Sequence, residues 1–263
     1  KLYNWQRDKN LFEIINIFVD KVDIRFVGGC LRDVYLGLEL KDIDLAIDCE
    51  PHNTIKILKE NKINYLENGL KFGTVTALNN NIKYEITSLR KDVKTDGRFT
   101  KVEYTNNWEE DSLRRDFTIN AIYLSPNGKI FDPYDGITDI KNQKILFIGE
   151  SYKRIKEDYL RIMRFYRFLG IFKYPIYNEN DLMLVNNNFE KMVNIVSNNK
   201  IKNELDKMIK NQYCSNSFLT KFKNSDPNYK NLLEKLESIW LKDSYKEGIK
   251  IINKCKNIMN ITR

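Results

Sequence analysis

Asp42 and Asp44 lie two residues apart in DIDLAID, a stretch whose acidic and apolar residues alternate as those of a half-buried strand do. That spacing sends both carboxylates to one face and leaves Ile43, Leu45 and Ile47 for the buried one. Two carboxylates so close repel one another unless a cation sits between them; the alternative is a solvated acidic strand face. A hard, oxygen-seeking ion, Mg²⁺ most naturally, is the expected occupant, and a pair of such ions can activate an attacking hydroxyl while holding leaving phosphate oxygens. Glu85 supplies a third acid, on the polar face of KYEITSL with Lys83 and Thr87, opposite Tyr84 and Ile86. Upstream, Gly28 and Gly29 fall between a predicted strand and a predicted helix. There the backbone either offers N–H groups to a phosphate or simply makes a tight turn. Arg32, one turn into that helix, would complete a triphosphate cradle. Farther on, Asp158, Arg161, Arg164 and Arg167 recur every third residue along a predicted helix. Such a row suits one extended anion-bearing ligand, or else is a solvated helix face.

Other chemistries are narrowed by composition. His52 is the one histidine in 263 residues, in a polar stretch that reads as a solvated loop. Ser-His-Asp and Cys-His schemes are thereby removed unless His52 itself is the base. Cys30, Cys49, Cys214 and Cys255 lack the paired short spacing of a zinc site or disulfide framework and read as reduced thiols. No apolar run approaches the roughly 20 residues needed to span a bilayer, and no signal pattern opens the chain, so a soluble protein with no membrane partner is expected; a removed transit peptide would leave no trace. Lys and Arg number 44 against 36 Asp and Glu, a net charge of +8 that favours a polyanionic partner without proving one.

The elements that must hold these residues follow from periodicity. LFEIINIFVD (11–20) has helical spacing, DIRFVGG (23–29) reads as a strand entering a glycine turn, and LRDVYLGL (31–38) continues as a helix. TVTAL and YEITSL look like two strands joined at Asn79, Asn80 and Asn81. From about residue 150 ESYKRIKEDYLRIMRFYRFLG, NKIKNELDKMIK and KNLLEKLESI carry apolar residues at three- and four-residue spacing with no strand signals between them. The fold expected is α+β: a mixed β-sheet head with helices over 1–149, an all-α neck over 150–212, and a short helical body over 213–263.

These residues together resemble the superfamily of class II tRNA nucleotidyltransferases (CCA-adding enzymes) and bacterial poly(A) polymerases. The head of that family opens with a GG-x-x-R-D turn and a D-x-D strand, here Gly28, Gly29, Arg32, Asp33 and then Asp42, Asp44. The likeness continues in RRDFTINAIY (Arg114 to Tyr123), in FDPYDGITDIKNQKILFIG and in EDYLRIMRFYRF (Glu157 to Phe168), four motifs in order over roughly residues 23 to 170. The resemblance implies a nucleotidyltransferase that adds C, C and A from CTP and ATP to the 3′ end of tRNA. Metal would be held by Asp42 and Asp44, with Glu85 beside them. Asp158 and Arg161 would pair with the Watson–Crick edge of the incoming base, an acceptor beside fixed donors, while Arg164 and Arg167 face the triphosphate or the site wall. Arg114 and Arg115 would bring charge to the phosphates, Asp116 would accept from the ribose 2′-hydroxyl, and Asn120 would orient the sugar.

The segment between Arg90 and Arg114 matches a flexible loop that the family uses in switching to A addition, and it is of full length here. Complete CCA addition or A-only addition is therefore expected over CC addition. A poly(A) polymerase is a weaker alternative, since its usual histidine-containing motif after the neck is missing, and an inactive RNA-binding module a remote one. One departure stands out in the family's S-x-E-R-I-x-x-E-L helix cap. SNNKIKNEL keeps Ser197 as a candidate cap but has Asn199 and Lys200 in place of the Glu and Arg. The tRNA 3′ end is the expected partner, the cytoplasm the expected compartment, or an organellar matrix if the source is eukaryotic.

Overall fold

A computed structural model of the chain describes residues 7–38, 40, 42–93, 101–211 and 213. Most of the expected body, the expected helix over 230–239, and Cys214 and Cys255 lie outside the described residues. So does the tip of the expected loop, 94–100. The chain divides into two compact units between Lys141 and Asn142.

The first unit is built on one mixed sheet. Helix α1 (Lys9–Val19) opens it, with the Asp8 carboxylate accepting from the Asn10 and Leu11 N–H groups at 3.1 and 3.2 Å. Leu11, Ile14, Ile15 and Phe18 recur at three- and four-residue spacing and are fully buried, each contributing about 1.5–3 kcal/mol of burial. Next come β1 (Ile24–Val27), α2 (Gly29–Tyr35), β2 (Asp44–Ile47), α3 (Pro51–Glu60), β3 (Asn64–Leu66), β4 (Thr74–Asn79) and β5 (Ile82–Ser88). A separate hairpin, β6 (Arg90–Val93) and β7 (Lys101–Tyr104), precedes α4 (Trp108–Leu113), β8 (Tyr123–Leu124), β9 (Ile130–Phe131) and α5 (Gly136–Lys141). Among the described residues the main sheet runs β3-β4-β5-β2-β1-β8-β9, antiparallel except where β2 lies parallel to β5.

That parallel pair is the feature that positions the acids. Its register sets Asp44 directly opposite Glu85 and Leu45 opposite Ile86. Strand β2 departs from the half-buried pattern expected of it, because it begins only at Asp44 and Leu45, Ala46 and Ile47 are all buried. A central strand flanked by β5 and β1 is covered on both faces, and alternation survives only at its acidic start. Asp42 precedes the strand and is exposed. Asn80 and Asn81 make a two-residue turn with φ of 49° and 64°, the left-handed pair that a tight hairpin requires. The expected loop around His52 is instead the first turn of α3. Pro51 at the helix start needs no N–H partner, and His52 stays exposed beside Glu50 at 3.3 Å.

The second unit contains β10 (Lys144–Ile145), α6 (Ser151–Glu157), α7 (Arg161–Leu169), β11 (Ile176–Tyr177), α8 (Glu179–Asn187), α9 (Phe189–Ile195) and α10 (Asn198–Ile209). Two expectations change here. The single helix read over 151–169 breaks at Asp158, whose φ and ψ of −148° and 105° are extended, so the predicted row of Asp158 and three arginines does not share one helix. The supposedly all-helical stretch also contains β11, paired parallel with β10. The unit's core forms around Phe165, which stacks on Phe147 with centroids 5.7 Å apart and meets Tyr166 edge-on at 5.9 Å.

Candidate active site

Gly28 closes β1 at φ 71° and ψ −121°, a conformation that side chains oppose. Its side of the turn is also occupied, because a Cβ there would lie 3.3 Å from the Arg115 Nη1 and 3.5 Å from the Asn120 carbonyl. Gly29 begins α2, and one turn on Arg32 is buried. Its Nε and Nη2 donate to Asp33 Oδ1 at 2.9 and 2.7 Å, and Nη1 to Asn120 Oδ1 at 2.7 Å. Asn120 Nδ2 donates in turn to Asp116 Oδ1 at 3.1 Å, an oxygen that also accepts from the Phe117 N–H at 2.9 Å. Asp116 and Asn120, expected at the sugar, thus form a buried chain under Arg32.

The segment Arg115–Asn120 is held from below. Thr118 Oγ1 donates to Asp139 Oδ2 at 2.7 Å, and Asp132 accepts from the Gly136 and Ile137 N–H groups at 2.8 and 2.9 Å at the start of α5. A Cβ at Gly136 would lie 2.3 Å from the Thr118 carbonyl oxygen, so only glycine admits this approach. The FDPYDG stretch therefore acts locally as a clamp on the RRDFTIN turn.

Asp44 is the centre of the charge pattern. Burial raises its carboxyl above the ordinary value, Glu85 and then Asp42 raise it further, and Arg115 and Arg32 pull the other way. Asp42, Glu85, Arg32 and Arg115 are thus charged groups that act on this one residue. Among the described residues no group of three or more His, Cys, Asp or Glu is gathered closely enough to hold a metal ion alone. The donor set nonetheless suits a hard divalent cation, which takes one or two carboxylates and completes its shell from water and substrate phosphate. A carboxylate disfavoured by burial and by two like charges is the environment that such an ion relieves.

Within the second unit, Asp158 and Arg161 flank the break between α6 and α7. Asp158 is exposed, and its Oδ1 accepts from the Leu160 N–H at 3.0 Å. Arg161 is buried, with Nη1 donating to the Arg154 carbonyl at 2.8 Å and to Glu157 Oε2 at 2.9 Å; Arg154 reaches the same Glu157 oxygen at 2.6 Å. Arg164 and Arg167 lean on Glu204 of α10, at 3.9 and 2.6 Å, and Glu204 is itself buried. The altered cap motif thus retains in Glu204 the acid that braces α7. Ser197 occupies the N-cap position, but its side chain makes no capping hydrogen bond, contrary to expectation.

Residues 24–146 match the poly A polymerase head domain. The chain is 41% identical over 164 residues to the CCA tRNA nucleotidyltransferase 1, mitochondrial, of Homo sapiens, spanning 62% of this chain and 38% of that one. It is 36% identical over 186 residues to the CCA-adding enzyme of Streptococcus sanguinis, spanning 70% and 45%. The head of the chain, residues 24–146, belongs to the poly A polymerase head-domain family. In three dimensions the chain matches the crystal structure of the Bacillus stearothermophilus CCA-adding enzyme in complex with CTP, with a TM-score of 0.72 at 27% identity over 83% of this chain and 52% of that one. It spans less than half the length of either curated relative.

In each of the two units, residues that support the site candidates escaped the motif reading. Asp111 and Tyr123 fix Arg114 and Arg115, while Glu157 and Arg154 fix Arg161. A signal for Asp111 existed, since Trp108, Asp111 and Ser112, the buried positions of α4, follow helical spacing. Glu109 and Glu110 beside it hid which acid turned inward.

Proposed function

We propose that the chain adds C, C and A, from CTP and ATP, to the 3′ end of tRNA, with Mg²⁺ held by Asp42 and Asp44. The observation that carries this reading is the register that sets Asp44 directly opposite Glu85, two residues after Asp42, with Arg115 and Arg32 as counter-charges to the same carboxylate. Acids that would hold a cation and arginines that would hold phosphates are what phosphoryl transfer needs, because most of its catalysis is positioning and charge stabilisation. The names of the relatives support the same activity.

In this reading the RNA 3′-hydroxyl oxygen attacks the α-phosphorus of the nucleotide in line, and the bond to the pyrophosphate oxygen breaks. When bound, Mg²⁺ makes the attacking hydroxyl easier to deprotonate and neutralises charge on the phosphate oxygens. Glu85, in register with Asp44, strengthens the negative field that draws the hydroxyl proton away. Gly28 and Gly29 let the backbone approach the phosphates, Arg32 and Arg115 pair with them, and Asp116 and Asn120 hold Arg32 and the sugar edge in place. In the second unit, Asp158 and Arg161 are the residues proposed to read the base, and Arg164 and Arg167, braced by Glu204, to face the triphosphate or the site wall.

Replacing Asp42 or Asp44 by Ala tests the assignment. Transfer of labelled CTP to tRNA is expected to fall by about a thousandfold or more, with an unchanged circular dichroism spectrum. Activity within a few-fold of the wild type would overturn it.

A further inference from the structure

We propose that Asp111 is a positioning residue for nucleotide binding, aiming Arg115 at the phosphates and tying that aim to the root of the β6–β7 hairpin. The inference rests on the reading of Arg115 as a phosphate-binding residue.

Asp111 is fully buried, and both of its oxygens are committed. Oδ1 accepts from Arg114 Nε at 2.8 Å and Nη2 at 2.7 Å and from the Arg90 main-chain N–H at 3.3 Å. Oδ2 accepts from Arg115 Nη2 at 3.2 Å and from the Tyr123 hydroxyl at 2.8 Å. One carboxylate thereby joins the first residue of β6, helix α4, the arginine turn and strand β8. Arg115 is gripped along a whole edge, because its Nε also donates to the Tyr123 oxygen at 2.8 Å and its Nη1 to the Asn120 carbonyl at 3.4 Å. The same Nη1 lies against the Gly28 turn, and Arg115 acts on Asp44.

A guanidinium fixed this way has lost its rotamer freedom on folding and need not lose it again when an anion arrives. Preorganised donors are worth more than mobile ones for that reason. Burial pushes the Tyr123 phenol up, which keeps its hydroxyl proton available for Asp111. A buried acid between two arginines is costly unless every partner is satisfied, and here every oxygen is used to orient a group at the site's edge.

Affinities of the full chain, Asp111→Asn and Tyr123→Phe for CTP and for cytidine, which lacks phosphate, distinguish aiming from mere support. Asp111→Asn is expected to bind CTP about tenfold more weakly and cytidine within about twofold of the wild type. Tyr123→Phe, which keeps the ring and removes only the hydroxyl, is expected to shift CTP in the same direction by about threefold. Parallel losses for both ligands, or no loss in either with only the melting temperature lowered, would reduce Asp111 to a structural ion and overturn the proposal. If Asp111→Asn does not fold, the Tyr123→Phe comparison decides by the same criterion. A wild-type chain that binds CTP no better than cytidine would instead overturn the phosphate-binding reading of Arg115 itself.

Discussion

Burial and two neighbouring acids disfavour the ionised form of Asp44, so at neutral pH without divalent cations this carboxylate works against folding. Asp44→Ala is therefore expected to melt in chelator at or above the wild-type temperature. Added Mg²⁺ is expected to raise the wild-type melting temperature and leave the variant's unchanged. Equal shifts for both proteins would contradict the assignment. Asp111 behaves oppositely. Burial alone would push it up, but Arg115 and Arg114 hold it down at about 2 against an ordinary 3.8. Its contribution, about 2 kcal/mol, is complete above the ordinary value and is lost as the pH falls towards about 2. Denaturant midpoints of wild type and Asp111→Asn are expected to converge over that acid window; a constant gap would show that the charge is not the source. The Asp pair was legible because its partner in argument was the glycine turn and a run of later motifs. Asp111 was not, because its meaning comes from Tyr123 and Arg90, contacts that linear spacing does not announce.

At the level of elements, the sheet was legible where alternation or a turn signal marked it, as at β4, the asparagine pair and β5. It was misread where covering on both faces erased alternation, as at β2, and where the polar stretch around His52 was read as a loop although Pro51 opens α3 there. The break at Asp158 stayed hidden because apolar spacing continues across it, and the two-residue strand β11 is too short to carry a pattern. Two variants test what the elements do. Gly136→Ala forces a methyl against the Thr118 carbonyl, so urea denaturation is expected to show a loss of about 2 kcal/mol or more. Glu204→Gln leaves Arg167 without its anion on α10, and a loss of about 3 kcal/mol is expected in the second unit. A change below about 0.5 kcal/mol in the unfolding of either variant would show that the contact is dispensable.

Over the molecule as a whole, the surplus of 44 basic over 36 acidic residues becomes meaningful only beside the phosphate-binding role that the proposed function assigns. On the proposed function, tRNA affinity is expected to fall about tenfold or more between roughly 50 and 200 mM salt, as counter-ions compete for the phosphates. A flat salt dependence would mean that the basic excess does not face RNA. The family was legible in the sequence because its chemistry is concentrated in four short motifs. The hydrogen-bond support under those motifs emerges only from the packed chain. Labelled CTP and ATP, supplied with Mg²⁺ to tRNAs ending before CCA, after C and after CC, put the proposed function to the test. All three are expected to grow to a finished CCA end and stop. Growth of the CC-ended tRNA alone, an extended A tail, or no growth at all would contradict that function.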